Sequence, residues 1–480
     1  MNTGVLILEI CAVLLGLIIL ILEVSAPSYL KGGLGIITLV GLALILLFSY
    51  TFTPGFIQFA FGGAYVMDGL ALFSKKFFIA TAILVVLLLI HTERQNGFIP
   101  GEYYALIVFA LTGMMFAASA NHLVMLFVSI ELVTVSFYIL TGFRKQNRES
   151  LEAAIKYLIF GAVSSAFLIF GIALVYGTSG TMAFNGIAKS LGGSTLHSAI
   201  FHTGLGMILV GLGFKIAMFP FQLWVPDVYQ GAPSPTTAFL ATGSKAAGFV
   251  LIIRLFLNTA EPAIALWREQ LIVIAILTIL YGNLCAIPQR NIKRLIGYSS
   301  IAHAGYLLMG IATIATDGIA SILYYLVVYM LAVVAMFGVI AVLFKGEDYD
   351  IGKFSGLHQR SPFLAMIMTC ALASLAGIPP LAGFFGKFLL IKSAALQVDL
   401  TSSYYYLVAI AIVGVAISIY YYFKIIKLIY WGEPTDQTKL SISYPLVVLL
   451  VLCMAGMLCY GIIPSELVDA AKLAAKSIAM

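Results

Sequence analysis

Charge is what this sequence has least of. Asp, Glu, Lys and Arg together make up 10% of its 480 residues, apolar side chains 62%, and mean hydropathy is +1.07. No soluble globular domain has that balance. Cysteine is sparse too: Cys11, Cys285, Cys370, Cys453 and Cys459 stand singly in apolar runs without CxxC spacing, so iron–sulfur or zinc ligation is not expected and they read as buried packing residues. There is no GxGxxG following a strand, no GxSxG and no metal-ligand cluster. GFFGK at Gly383–Lys387 has the tail of a phosphate-binding loop, yet Leu381 occupies the place of its first glycine, which leaves a nucleotide site unsupported. The net charge of +6 is assigned to loop residues rather than to a nucleic-acid surface. Met1–Val24 lacks a basic leader and a small-residue cleavage site, so it is expected to stay as a first helix.

What is abundant is the apolar run long enough to cross a bilayer. Fourteen are expected, at 4–24, 33–51, 68–91, 103–119, 122–142, 152–176, 204–230, 236–257, 266–287, 295–314, 319–344, 363–397, 403–430 and 443–463. The chain therefore reads as an all-α polytopic membrane protein. Lys31, Arg94, the group Arg144, Lys145 and Arg148, the group Arg290, Lys293 and Arg294, then Lys345, Lys353, Arg360, Lys427 and Lys439 fall in odd-numbered loops. The positive-inside rule then puts those loops in the cytoplasm and both termini outside. Lys75, Lys76, Lys472 and Lys476 disagree and are outvoted.

The stretch FKIAMFPFQLWVPDVYQGAPSPTTAFLATGSK, Phe214 to Lys245, is the centre of the functional reading. Pro220, Pro226, Pro233 and Pro235 interrupt its helix, and a break facing lipid would strand backbone groups, so this one must be buried or line a wet cavity. Lys215 stands beside it. Pro379 and Pro380 make a second break with Lys387 nearby. Two blocks of five spans, four to eight and nine to thirteen, each carry a broken fourth member. An odd count inverts the second block in the membrane, and sites are expected where the broken helices meet. The implied division is an N-terminal three-helix segment at 1–98, a first repeat at 99–260, an inverted second repeat at 261–432, and a C-terminal helix and tail at 433–480.

Ionisable residues inside such spans are costly and mark ion pathways. Glu131, Thr134 and Tyr138 form a polar stripe on one helix face. Lys156 and Lys215 are the candidate partners of Glu131, with a static ion pair as the alternative and snorkelling a rival for Lys156, four residues after Glu152. Lys245 shares its face with Ala238, Ala241 and Gly248, the small residues of a close helix contact, which directs its ammonium into the bundle. His303 has Ser299 and Tyr306 on its face and either bridges the blocks or is a satisfied core histidine. Asp227 reads as a cap or orienter of the proline bend. His91, His122, His202 and His358 read as interfacial, and Tyr404–Tyr406 and Tyr420–Tyr422 as aromatic belts.

Taken together, SIELVTVSFYILTGF (Ser129–Phe143), EAAIKYLIFGAVSSAFLIFGIALVYG (Glu152–Gly177), the Phe214–Lys245 stretch, QRNIKRLIGYSSIAHAGYLLMG (Gln289–Gly310) and SLAGIPPLAGFFGKF (Ser374–Phe388) resemble the antiporter-like membrane subunits of proton-pumping NADH:quinone oxidoreductase, respiratory complex I. The resemblance spans roughly residues 100 to 430. It implies that Glu131 and Lys156 form an ion-paired gate, that Lys215 is the pumping lysine, and that Lys245 and His303 relay protons towards Lys387, the exit group. The resemblance is further narrowed by a lysine at 387 and no long amphipathic extension after the last span, which imply one particular member of that group of subunits.

The resemblance further implies a translocase subunit with no redox centre, cofactor or metal of its own, FMN, iron–sulfur clusters and quinone being held by other subunits. The implied partners are the other membrane and peripheral subunits and the lipid bilayer, not nucleic acid, and the implied location is the cell inner membrane. Moving one charge against 100 mV takes about 2.3 kcal/mol, which partner subunits must supply. The alternatives are a subunit of a multi-chain sodium/proton antiporter and a purely structural scaffold whose charges fix helix packing.

Overall fold

The structure is a computed structural model that describes residues 3–27, 31–52, 57–96, 100–190, 198–259, 261–344, 348–434 and 440–477, with side chains at 94–96, 257–259 and 261–266 set aside. Lys345, Lys439 and the Arg94 side chain, used above for orientation, lie outside the described residues. The chain is helical almost throughout: α1 Ile7–Ser25, α2 Leu34–Ser49, α3 Gly69–Asn96, α4 Gly101–Ala118, α5 Leu123–Thr141, α6 Arg148–Ser179, the short α7 Phe184–Ser190, and α8 Ala199–Ile216. Then come α9 Val225–Gly231, α10 Ser234–Phe239, a π-helical turn Leu240–Ser244, α11 Lys245–Thr259, α12 Glu261–Ala286, α13 Ile292–Ala312 and α14 Thr316–Leu343. The last are α15 Leu357–Arg360, α16 Pro362–Ala376, α17 Ala382–Ala395, α18 Ser403–Trp431, α19 Tyr444–Ile462 and α20 Ser465–Lys476.

Among the described residues twelve helices are long and apolar enough to cross a membrane, and the chain is a multi-pass membrane protein. Two of the fourteen expected runs fall short of that length: α2 has 16 residues, and the run at 363–397 is divided into α16 and α17. Burial sorts the helices. The continuous rod α10–π–α11 is wholly enclosed and α13 and α14 nearly so, whereas α6, α18 and α19 leave broad apolar faces outward. Outward faces of Leu, Ile and Phe need lipid as their solvent.

Successive helices alternate direction, so the ends separate into two sets. The starts of α6 and α13 lie at one end. The starts of α1, α3 and α5 lie at the other with the end of α4, where the hairpin β1 Gln58–Ala60 and β2 Tyr65–Met67 pairs Phe59 with Val66. Val66 N–H donates to Ser119 O at 2.9 Å, which ties the hairpin to the end of α4.

Several expectations need correction. Lys75 opposed the orientation rule because it is not a loop charge: it is fully buried against Glu9, Nζ to Oε1 2.6 Å. Lys293, counted as a loop cation, is buried as well. Of the cysteines only Cys453 is buried, and Cys459 is exposed on the apolar face of α19. His91, near a span end, is buried against protein, with Nδ1 2.7 Å from Ser443 Oγ at the start of α19. The tyrosine belts are half belts. Tyr405, Tyr406 and Tyr420 are exposed, while Tyr404, Tyr421 and Tyr422 face inward because a helix alternates its faces within three residues.

Candidate proton path through the bundle

Both helix breaks are built in the same way. α8 ends at Ala217 in the left-handed region (φ 64°), and Met218 N–H turns back to Gly213 O at 3.0 Å. α16 ends at Gly377 (φ 86°), with Ile378 N–H on Ala373 O at 3.0 Å. The groups released by the first break find partners inside protein: Trp224 Nε1 donates to Phe214 O at 3.0 Å, and Phe219 N–H to Thr278 Oγ1 at 3.1 Å. Around the second break Gly383 N–H donates to Ser374 Oγ at 3.2 Å. The expectation of buried breaks needs correction: Pro220, Pro379 and Pro380 are exposed at the bundle surface, which a proline tolerates because it has no N–H to strand, while the backbone groups named here have protein partners.

Lys215, one turn before the first break, is buried and donates to Thr134 Oγ1 at 2.6 Å. Thr134 is the middle member of the polar stripe on α5. Glu131, a turn earlier, accepts from Ser165 Oγ on α6 at 2.5 Å. The expected pairing of Glu131 with Lys156 is not formed. Lys156 Nζ lies 2.8 Å from Asp227 Oδ2 and 2.7 Å from Glu152 Oε1, partly exposed at the end of the bundle where α6 begins. The reason is depth: Ser165, the residue facing Glu131, lies nine positions further along α6, about 13.5 Å.

Lys245 opens α11 just after the π-turn. Its buried Nζ donates to Ser300 O at 2.7 Å and also to Ser300 Oγ. The small-residue strip does what its spacing implied, since a Cβ on Gly248 would meet Ile216 at 2.7 Å and the Lys215 Cβ at 3.4 Å. α8 and α11 therefore touch one turn from Lys245.

α13 carries the connection onward. Ser300 also meets Tyr229 Oη at 3.1 Å. His303 is held between two phenols, Nδ1 2.6 Å from Tyr325 Oη and Nε2 3.2 Å from Tyr422 Oη, and Tyr422 is bonded in turn to Ser299 Oγ. Tyr306 puts its ring 5.1 Å below the Lys387 ammonium. Lys387 Nζ donates to Ala376 O at 3.3 Å and Ser418 Oγ at 3.4 Å, so it sits at the negative end of α16's dipole, on a carbonyl released by the break. One helix thus bears the acceptor of Lys245, the histidine, and the ring beneath Lys387 within six residues, a rise of about 9 Å.

At the end of the bundle where α6 and α13 start, the isolated turn α9 is gripped by charge. Asp227 Oδ1 takes Arg294 at 2.7 Å while Oδ2 takes Lys156, and Arg294 also reaches Gln230 Oε1 at 3.0 Å. Lys293 donates to Ala232 O at 2.8 Å, capping the other end of α9. Asp227 therefore orients the bend, as its place in the sequence suggested. An open polar cleft of about 120 Å³ lies beside it, lined by Glu149, Glu152, Lys156, Asp227, Gln230 and Arg294. Partial burial works against the Asp227 charge, but Lys156 and Arg294 outweigh it and hold the carboxyl below its ordinary 3.8.

A folded-state pKa below the unfolded one contributes stability that is complete above the unfolded value and is lost as pH falls through the folded one. The thermal stability advantage of the native protein over Asp227→Asn is accordingly expected to be constant near neutrality and to shrink as pH drops below 3.8. A melting series against pH measures it.

Ser165, Tyr229, Ser300 and Tyr325 were not singled out from sequence, and Tyr422 was read there as part of an aromatic belt. Only Ser300 had a signal, as a neighbour of Ser299 on the His303 helix. Tyr422→Phe removes the hydroxyl that meets both Ser299 and His303, a loss of about 1–1.5 kcal/mol if one bond to a buried group is forfeited. Proton-linked turnover is expected to slow roughly five- to tenfold in vesicles, with assembly unchanged.

Two interrupted helices, each with a buried lysine beside its break and joined by one polar helix, define a polytopic membrane protein with titratable groups along its interior. The chain belongs to the NADH:quinone oxidoreductase/Mrp antiporter membrane family, which it matches over residues 120–418. It is 38% identical to NADH-quinone oxidoreductase subunit N of Desulforamulus reducens over 483 residues, covering 99% of this chain and 98% of that one. Among solved structures it resembles a chain of respiratory complex I from Thermus thermophilus, with TM-score 0.82 and 31% identity over 96% of this chain and 98% of that one. A chain of the Mrp complex from Dietzia shares the fold at TM-score 0.85 and 19% identity, over 100% and 98%.

Proposed function

We propose that this chain is the subunit-N-like, proton-translocating membrane subunit of an NADH:quinone oxidoreductase, coupling electron transfer in other subunits to proton movement across the inner membrane. The observation that carries the reading is the buried series Lys215, Lys245, His303 and Lys387, strung along two helix breaks and α13 in a chain similar over its whole length to subunit N. Glu131 acts on Lys215 through the Thr134 turn of α5, and Lys156 acts at the cleft through Asp227. The path crosses two inverted five-helix repeats, residues 99–260 and 261–432, within fourteen spans. The segment 1–98 flanks it on one side, and the helix and tail 433–480 complete the chain.

Protons enter from the cytoplasm by the Asp227 cleft, whose neighbour Tyr229 already touches the Ser300 that holds Lys245. They leave past Lys387, with both termini on the outer side. FMN, iron–sulfur clusters and quinone belong to partner subunits, which also supply the driving energy. Purification from native membranes tests the reading: flavin- and iron–sulfur-containing chains should accompany this one, and sodium-dependent exchange by the chain without them would overturn it.

A further inference from the structure

Beyond the path just described, a second set of charges is buried where the hairpin meets α1, α3, α4 and α11. It contains two ion pairs, and they differ in kind. Arg254 gives both terminal nitrogens to Asp68, at 2.6 and 2.8 Å, and its Nε to Ala118 O at 2.6 Å. Asp68 also accepts Ala71 N–H at 2.8 Å and so caps α3. Every strong donor and acceptor there is engaged, and a guanidinium does not give up its proton. That pair is a fixed clamp.

Glu9 and Lys75 are otherwise. Lys75 Nζ lies 2.6 Å from Glu9 Oε1 and 2.6 Å from Tyr65 Oη, with Met67 Sδ at 3.2 Å. Tyr65 Oη is in turn 3.0 Å from Glu9 Oε1. All three side chains are buried, and Glu9 Oε2 has no hydrogen-bond partner among the described residues. A buried carboxylate oxygen without a donor is costly. An ammonium, unlike a guanidinium, can surrender one. Lys75 lies six residues into α3, about 9 Å below its start, so the pair is close to the end of the bundle opposite the Asp227 cleft.

We propose that Glu9 and Lys75 form a second proton-exchange site, outside both repeats, that passes protons to the outer end of the bundle. The step balances within the pair. The Lys75 N–H bond breaks and a Glu9 O–H bond forms across the 2.6 Å contact, converting an ion pair to a neutral one. Rotation of the protonated Glu9 carboxyl carries the proton from the Oε1 position to the unpartnered side, where water at the outer end of the bundle takes it as hydronium, and neutral Lys75 takes another from a protonated water reaching it from the bundle side. Tyr65 holds both groups at one hydroxyl. Arg254 and Asp68, facing the pair from α11 and the start of α3, keep their charges throughout.

The inference rests on the proposed function, and one experiment separates the two. Lys75→Arg keeps a cation that cannot deprotonate, and Glu9→Gln with Lys75→Met removes both charges at similar volume. Each is placed in the whole complex beside Lys215→Ala, and assembled amount, quinone reduction and protons moved per electron are measured in vesicles. The expected result is normal assembly with a proton-to-electron ratio lowered in both Lys75 variants to the level of Lys215→Ala. A full ratio in either assembled Lys75 variant, with Lys215→Ala impaired, overturns this inference alone. Failure of both to assemble also overturns it, since the pair would then be an anchor. A full ratio in Lys215→Ala overturns the proposed function instead.

Discussion

Replacing Lys215 by alanine is expected to abolish proton pumping by the assembled complex, measured as loss of dye quenching in energised membrane vesicles. The side chain is buried, its ammonium has Thr134 Oγ1 as its hydrogen-bond partner, and it lies where α8 stops and α11 touches at Gly248. Alanine leaves nothing there to hold a proton. Lys215→Arg is the sharper variant, since it restores the charge and the bond to Thr134 but cannot release its proton. If the lysine is a carrier, arginine fails nearly as completely as alanine; if it merely packs the helices, arginine restores function. Full pumping by the arginine variant removes Lys215 from the path.

The second large effect is on assembly. Arg254→Ala leaves Asp68 buried with an uncompensated charge and frees the Ala118 carbonyl, and breaking a buried pair on one side typically costs about 3–5 kcal/mol. Against a total stability of roughly 5–15 kcal/mol, that should greatly reduce the amount of folded chain in the membrane, which an immunoblot of assembled complex would report. Arg254→Lys keeps the charge but loses the bidentate fork and is expected to fall between. The double change Arg254→Met with Asp68→Asn should recover much of the loss, because no unpaired charge remains. Wild-type levels in Arg254→Ala would show that the clamp does not hold the start of α3 and the end of α4 to α11.

The buried ionisable residues were legible because a lysine or histidine set among twenty apolar residues is too costly to keep unless it is paired or carries ions. Lys215, Lys245, His303 and Lys387 are all buried beside a break, the π-turn or α13. The hydroxyl groups that join them were not, since serine and tyrosine are ordinary in apolar helices. Tyr422 looked like its exposed neighbour Tyr420, and only the rotation of α18 separates them. The Glu131–Lys156 ion pair is not formed for a related reason: sequence names adjacent helices but not the relative depth of residues along them. Glu9 and Asp68 were missed because one acidic residue near a helix end resembles a cap, and Asp68 is indeed one as well as half of an ion pair.

The layout of α13 also bears on timing. Arg294, Ser300, His303 and Tyr306 all belong to one unbroken rod, so the grip on α9, the seat of Lys245 and the floor under Lys387 cannot be adjusted separately. A small roll of that shaft about its own axis shifts all of them in the same stroke. Under the proposed function, gearing of this kind would keep intake and discharge in step without any messenger running between the two halves.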